Sequence, residues 1–149
     1  MGSAGYVRRV YRERMGSRFR GFLASYKETD LWIGVDPDSF DPRMEDFAAS
    51  RARAYRLALE GYCAARPEFL RSLAPIAADE GAPPLARSMI AAAAEAGVGP
   101  MAAVAGAVAE LVGRDLDEEF GCAEIAVEHG GDLGLKVDRA VEASVFAGA

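Results

Sequence analysis

The sequence has little of what most catalytic and metal centres are built from. Among 149 residues there is one histidine, His129, one tryptophan, Trp32, and two cysteines, Cys63 and Cys122. A single histidine makes a serine–histidine–aspartate arrangement unpersuasive and supplies no histidine cluster for a metal. The cysteines lie far apart with no CxxC pattern, which argues against a disulfide framework or a zinc site and fits a reducing compartment. No run of 18 apolar residues occurs, and the longest apolar region, residues 101–112, is short for a bilayer and rich in alanine. Residues 1–11 lack the apolar core of a signal peptide. The expected location is therefore the cytoplasm, with no membrane partner.

What is present suits one globular domain over residues 1–149, with 51% hydrophobic and 27% charged residues. Much of the apolar fraction is alanine, which predicts closely packed helices. The net charge of -6 is unevenly spread. Residues 1–27 hold seven of the 17 basic residues against one acid, Glu13, so this arm is +6 and the remainder -12. A basic arm on an acidic body can meet nucleic acid. The Lys/Arg run is broken, however, and the favoured expectation is a wet strand face or pairing with the acidic body, not nucleic acid.

Residues 19–26 read as a strand, 27–30 as a turn and 31–35 as a more buried strand, together an opening hairpin. The segment 36–42, with two prolines and three aspartates, is a loop. Asp41 as N-cap and Pro42 in the first turn announce a helix to about Ala65. Met44, Phe47, Ala48, Tyr55, Ala58, Leu59 and Tyr62 share one face, and Arg51 falls on the same stripe. Residues 67–73 predict a short helix and 85–96 another, with Gly97 placed for a left-handed C-terminus. Residues 101–112 predict a further helix closed by Gly113, and 114–120 an acidic surface turn. Residues 123–128, 133–137 and 141–146 read as short strands. The predicted class is α+β, with helices packed on one face of a mainly antiparallel sheet. The chain stops at 147–149 directly after an apolar strand, which suggests a fold incomplete at its C-terminus.

Two segments could carry chemistry. The first is Gly97-Val98-Gly99-Pro100 opening onto a helix that begins at Met101. A glycine loop before a helix N-terminus presents N–H groups and the positive end of the dipole, which suits phosphate. Small residues up to Gly106 allow close approach by a flat ligand, or equally by another helix. No Walker lysine and no GxGxxG accompany it. The second is His129-Gly130-Gly131-Asp132, where two glycines permit a sharp turn and Asp132 could hold a ribose hydroxyl, an amine or a magnesium water. The alternative is a plain hairpin turn. Glu95, Glu110, Glu118, Glu119, Glu124 and Glu128 are further acids. No residue stands out as catalytic, and no metal ligand set is apparent.

The run "MIAAAAEAGVGPMAAVAGAVAELVG" at 89–113, followed by "AEIAVEHGGDLGL" at 123–135, resembles an uncharacterised branch of the ApbE-like flavin-transferase superfamily. "SYKETDLWIGVD" at 25–36 and "RPEFLRSLAPI" at 66–76 are similar to the same branch. The resemblance implies an ApbE-like fold and a cleft for FAD or FMN with magnesium, since the superfamily's enzymes move FMN from FAD onto a protein threonine. A helix similar to "KGYAVD" corresponds to Ala105-Gly106-Ala107-Val108-Ala109-Glu110, with Ala105 at the lysine and Glu110 at the aspartate. The family's GGD turn corresponds to Gly130-Gly131-Asp132. The expected ligand contacts are Gly99, Met101, Gly106, Gly130, Gly131 and Asp132, around a flavin or other nucleotide. The competing expectation is a homo-oligomeric, non-catalytic interaction module that uses the alanine-rich helices.

Overall fold

The computed structural model describes residues 18–130 and the backbone of 132–136. The elements run β1 (Arg20–Tyr26), β2 (Thr29–Val35), α1 (Met44–Ala65), α2 (Pro67–Arg71), α3 (Pro84–Ala96), α4 (Val104–Phe120), β3 (Ile125–His129) and β4 (Asp132–Lys136), with single 3-10 turns at Pro37–Ser39 and Pro100–Ala103. The four strands form one sheet in the order β1-β2-β3-β4, antiparallel throughout. The helices pack on it, α1 against β1 and α4 across β3 and β4. The class is α+β, as the pattern of elements predicts. The predicted strand at 141–146 lies outside the described residues.

The opening hairpin turns on two residues, Lys27 and Glu28, with Tyr26 paired to Thr29. Lys27 takes the left-handed conformation (φ 53°) such a turn requires. Alternation then assigns the faces of β2. Leu31, Ile33 and Val35 enter the helix-covered core beside Val127 and Ile125 of β3, their register partners being His129, Val127 and Ile125 in turn. Trp32 and Gly34 occupy the opposite face beside Glu128 and Ala126, and all four are buried as well. Trp32 lies over two glycines: a Cβ on Gly21 would stand 2.8 Å from the indole Nε1, and one on Gly34 2.7 Å from the ring.

Helix α1 contributes Met44, Ala48, Ala52, Tyr55 and Leu59 to the core, the spacing of one helical face. Ala58, predicted on that face, is exposed, and Ala52 takes the inward place. Asp41, predicted as the N-cap, lies one turn earlier: it accepts the Arg43 N–H at 2.8 Å, while the helix begins at Met44 with Arg43 at its N-cap and no side-chain cap. Arg51 sits beside the apolar stripe because α4 supplies its counter-charge. Asp115 Oδ2 accepts from Arg51 Nε at 2.9 Å and from the Tyr55 hydroxyl at 2.5 Å.

Two boundaries differ from expectation. Gly113 does not close α4, because the apolar period continues through Val112 and Leu116, both fully buried. The segment 114–120 is therefore helix, and Gly121 (φ 68°) is the left-handed residue that ends it. Gly113 instead lets the helix sit close to the sheet: a Cβ there would come 3.3 Å from Val127 Cγ2. At its start, residues 100–103 form a 3-10 turn, and no side chain caps the α-helix at Val104.

The described part of the basic arm pairs with the body. Arg18 forms a two-point ion pair with Glu124, Lys27 Nζ lies 3.6 Å from Glu60, and Arg20 stacks over Phe40 at 4.2 Å. Asp36 joins the end of β2 to the approach of β3. Its N–H donates to the Glu124 carbonyl at 3.2 Å, and its carboxylate accepts the Glu124 N–H at 3.0 Å and the Ser39 hydroxyl at 2.7 Å. Burial pushes the Asp36 carboxyl up, but the Ser39 hydroxyl and the backbone donors outweigh it, and the group stays below its ordinary value of 3.8. A depressed carboxylate stabilises the fold above its unfolded value and loses that contribution as pH falls through the folded one. Asp36→Ala is expected to cost about 2 kcal/mol in denaturant unfolding at pH 7. The gap between variant and wild type should narrow as the pH drops below 3.8. An unchanged gap in acid would mean that the charge on Asp36 contributes nothing.

Candidate functional site

The glycine loop and the GGD turn arrive by different routes. Helix α3 ends at Gly97, whose φ of 72° reverses the chain, and α3 stands at 103° to the segment Pro100–Phe120. This elbow leads α4 across β3 and β4. The start of α4 thereby reaches the end of β3: the His129 ring Nδ1 lies 3.3 Å from the Ala105 carbonyl oxygen. For that contact to be a hydrogen bond, Nδ1 carries the proton and donates it, which makes Nε2 the basic nitrogen of the neutral ring. His129 is half-buried, and beyond it the chain turns through Gly130 into β4.

The structure brings some predicted site residues together and separates others. Gly106 lies in the first turn of α4, half-buried and next in the chain to Ala105, whose carbonyl meets His129. His129 and Asp132 are partners in the β3–β4 ladder, so His129-Gly130-Gly131-Asp132 is a two-residue hairpin turn. Gly130 takes φ 61°, which primed hairpin turns demand. The Asp132 backbone opens β4. Gly131 and the Asp132 side chain lie outside the described residues.

Gly99 has a different use. A Cβ on it would stand 1.8 Å from the Ser72 carbonyl oxygen, so backbone meets backbone there and no ligand fits between. Met101 is half-buried and packs against the core. The expected phosphate cradle at residues 100–102 is also largely consumed. The Ala102 N–H donates to the Gly99 carbonyl at 3.2 Å, and the Val104 N–H to that of Met101. What remains of the expectation is the corner of Ala105, Gly106 and His129, at the positive end of a 17-residue helix.

The acids distribute without converging. Glu95, Glu110, Glu118 and Glu119 are exposed, Glu124 is held by Arg18, and Glu128 is fully buried opposite Trp32. Among the described residues no group of three or more histidine, cysteine, aspartate or glutamate side chains is disposed to hold a metal ion. No single described helix is long and apolar enough to cross a membrane. One feature had no signal in the pattern of residues: a groove of about 230 Å³ between Ile76 and Ala78 on one side and Ile90, Ala91 and Ala94 of α3 on the other. Its near wall is an extended segment that only tertiary packing places, pinned where Asp79 accepts from the Tyr62 hydroxyl at 2.7 Å.

Residues 12–149 match the model of a family described as AbpE bacteria. Among curated proteins, a UPF0280 protein of Methanococcus aeolicus is 34% identical over 124 residues, covering 83% of this chain and 48% of that protein. One from Methanocaldococcus jannaschii is 35% identical over 122 residues, covering 82% and 47%. One from Methanopyrus kandleri is 36% identical over 120 residues, covering 80% and 46%. The chain spans about half the length of the curated relatives it matches. These matches correct the resemblance to ApbE-like flavin transferases: the matching model is AbpE, the relatives are UPF0280 proteins, and none of these names speaks of FMN transfer. The residue correspondences drawn from that superfamily, Ala105 and Glu110 among them, fall with it.

The packing role of Gly99 is separable from any ligand. Gly99→Ala should lower unfolding stability by roughly 1–3 kcal/mol, the cost of forcing a methyl into filled space. Gly97→Ala, where open space surrounds the new Cβ, should cost only the strain of its positive φ, roughly 1 kcal/mol. Equal losses in the two variants would refute the Ser72 contact as the reason for Gly99.

Proposed function

The chain belongs to the AbpE bacteria family, and we propose that it is a ligand-binding domain whose site is the corner between the first turn of α4 and the β3–β4 hairpin. The ligand is a small, nucleotide-sized molecule bearing phosphate. The observation that carries this reading is the 3.3 Å approach of His129 Nδ1 to the Ala105 carbonyl. It unites two segments that the chain separates by 24 residues.

Three properties of the corner support the class of ligand. The helix dipole places partial positive charge at the start of α4, where an anionic group is stabilised by about 0.3–1 kcal/mol per favourable site. Gly106 adds no side chain to the first turn of α4. His129, its Nδ1 against the Ala105 carbonyl, fixes a polar ring at the edge of the corner. Among the described residues the corner holds no nucleophile paired with a base, and the reading is confined to binding.

Calorimetric titration of the purified chain with AMP, ADP and FMN, with and without magnesium, tests the proposal. Saturable binding to at least one is expected. His129→Ala should weaken it about tenfold or more, the scale of one lost polar contact, and Gly106→Leu should abolish it. Both variants should keep a cooperative unfolding transition. Absence of heat with every ligand in a folded sample, or unchanged affinity in His129→Ala, would defeat the assignment.

A further inference from the structure

Helix α3 has two unlike faces. Its inward face, Leu85, Ala86, Met89, Ile90 and Ala93, is buried in the core. Its outward face carries Pro84, Arg87, Ala91, Ala94 and Glu95, all exposed. The alanines of α4 behave differently, since Ala107 and Ala109 are buried within the chain and cannot serve a partner. Between these two helices, the exposed alanines, Ala91, Ala92, Ala94 and Ala96, all lie on α3.

We propose that this face pairs with the same face of a second copy of the chain, the two α3 helices crossing antiparallel about Ala91. Three observations point to a copy rather than an unrelated partner. Arg87 and Glu95 are four residues to either side of Ala91 and lie on the same outward face. A two-fold axis through Ala91 therefore sets Arg87 of each copy opposite Glu95 of the other. Neither side chain has an ion-pair partner among the described residues, so the pairing does not compete with one inside the chain. The face is also concave where the helices would meet. A groove of about 230 Å³ runs beside the crossing point, where Ile76, Ile90 and Ala91 stand with the charged Asp79, Glu80 and Arg87. Leu73, 91% exposed, lies near the end of α3, its backbone against Gly99.

Alanine at the crossing matters because small side chains let helix axes approach to the short end of the usual 8–10 Å range. The arrangement is isologous, as a closed dimer requires: each element of the face finds its complement in its own copy. It leaves the corner at His129 untouched and stands whether or not that corner binds a ligand.

Sedimentation equilibrium of the full chain tests the proposal. A concentration-dependent species of twice 15.8 kDa is expected. Arg87→Glu should weaken self-association about tenfold or more, because it places like charges opposite each other. Adding Glu95→Arg to that variant should restore it. In a Cys63→Ser background, Ala91→Cys should form a reducible covalent dimer on mild oxidation, since the residue meets its own copy on the axis. Arg87, Ala91 and Glu95 are exposed and Cys63→Ser is a near-isosteric change, so far-ultraviolet circular dichroism and melting should stay close to wild type. A monomer throughout the concentration series would overturn the proposal. So would a dimer indifferent to the charge reversal, or an Ala91→Cys chain that stays uncrosslinked.

Discussion

The pairing of β2 with β3 is the constraint on which the rest of this domain depends. Leu31, Ile33 and Val35 must be covered by helices on one side, while Trp32 and Gly34 are buried on the other. A strand buried on both faces has to be interior to its sheet, and β3 is what makes it so. A slip of one residue would exchange the two sets of side chains and drive Glu128 into the helical core. The mutual hydrogen bonds between Asp36 and Glu124 close the end of the pair and oppose such a slip. With the register held, His129 falls at the far end of β3, where α4 begins.

Much of this order was legible in the residues. The hairpin, the extent of α1 and the ends of α3 follow from alternation, helical spacing and terminal signals at Pro42 and Gly97. The course of α4 was not, because Gly113 looks like a stop. Its meaning comes from Val127, distant in the chain, whose methyl occupies the space a side chain would need. Arg51 on an apolar stripe was likewise opaque until Asp115 stood opposite. The candidate site was legible in part: the segment around Gly106 and the turn after His129 do converge. Gly99 misled, because a glycine needed for backbone contact with Ser72 looks the same in sequence as one needed for phosphate. The resemblance to flavin transferases misled more, since similarity of local runs does not specify chemistry.

The glycines show how one residue type serves unrelated ends. Gly21 and Gly34 make a floor for an indole, Gly99 admits a neighbouring backbone, Gly113 narrows the gap between helix and sheet, and Gly97, Gly121 and Gly130 supply positive φ. Of the last three, Gly97 and Gly130 could be assigned from their position in the pattern, whereas the apparent stop at Gly113 hid Gly121. The others are defined by what approaches them in space. Alanine divides in the same way: Ala107 and Ala109 of α4 and Ala86 and Ala93 of α3 seal the interior, while Ala91 and Ala94 of α3 face out.

The β2–β3 pairing also has a consequence in time. Asp36 and Glu124, which close it, are 88 residues apart. At about 5–20 residues per second, synthesis of the intervening chain takes roughly 4–18 s. Throughout that interval β2 has left the ribosome with a strand edge unpaired and its apolar residues waiting for cover. Hairpins form in about 1–10 μs, so β1 can engage β2 at once, but the other edge stays open until α4 and β3 emerge. The nascent chain is thus most exposed to mispairing in its first third, and a slowed ribosome over α3 and α4 would lengthen that exposure without altering a single native contact.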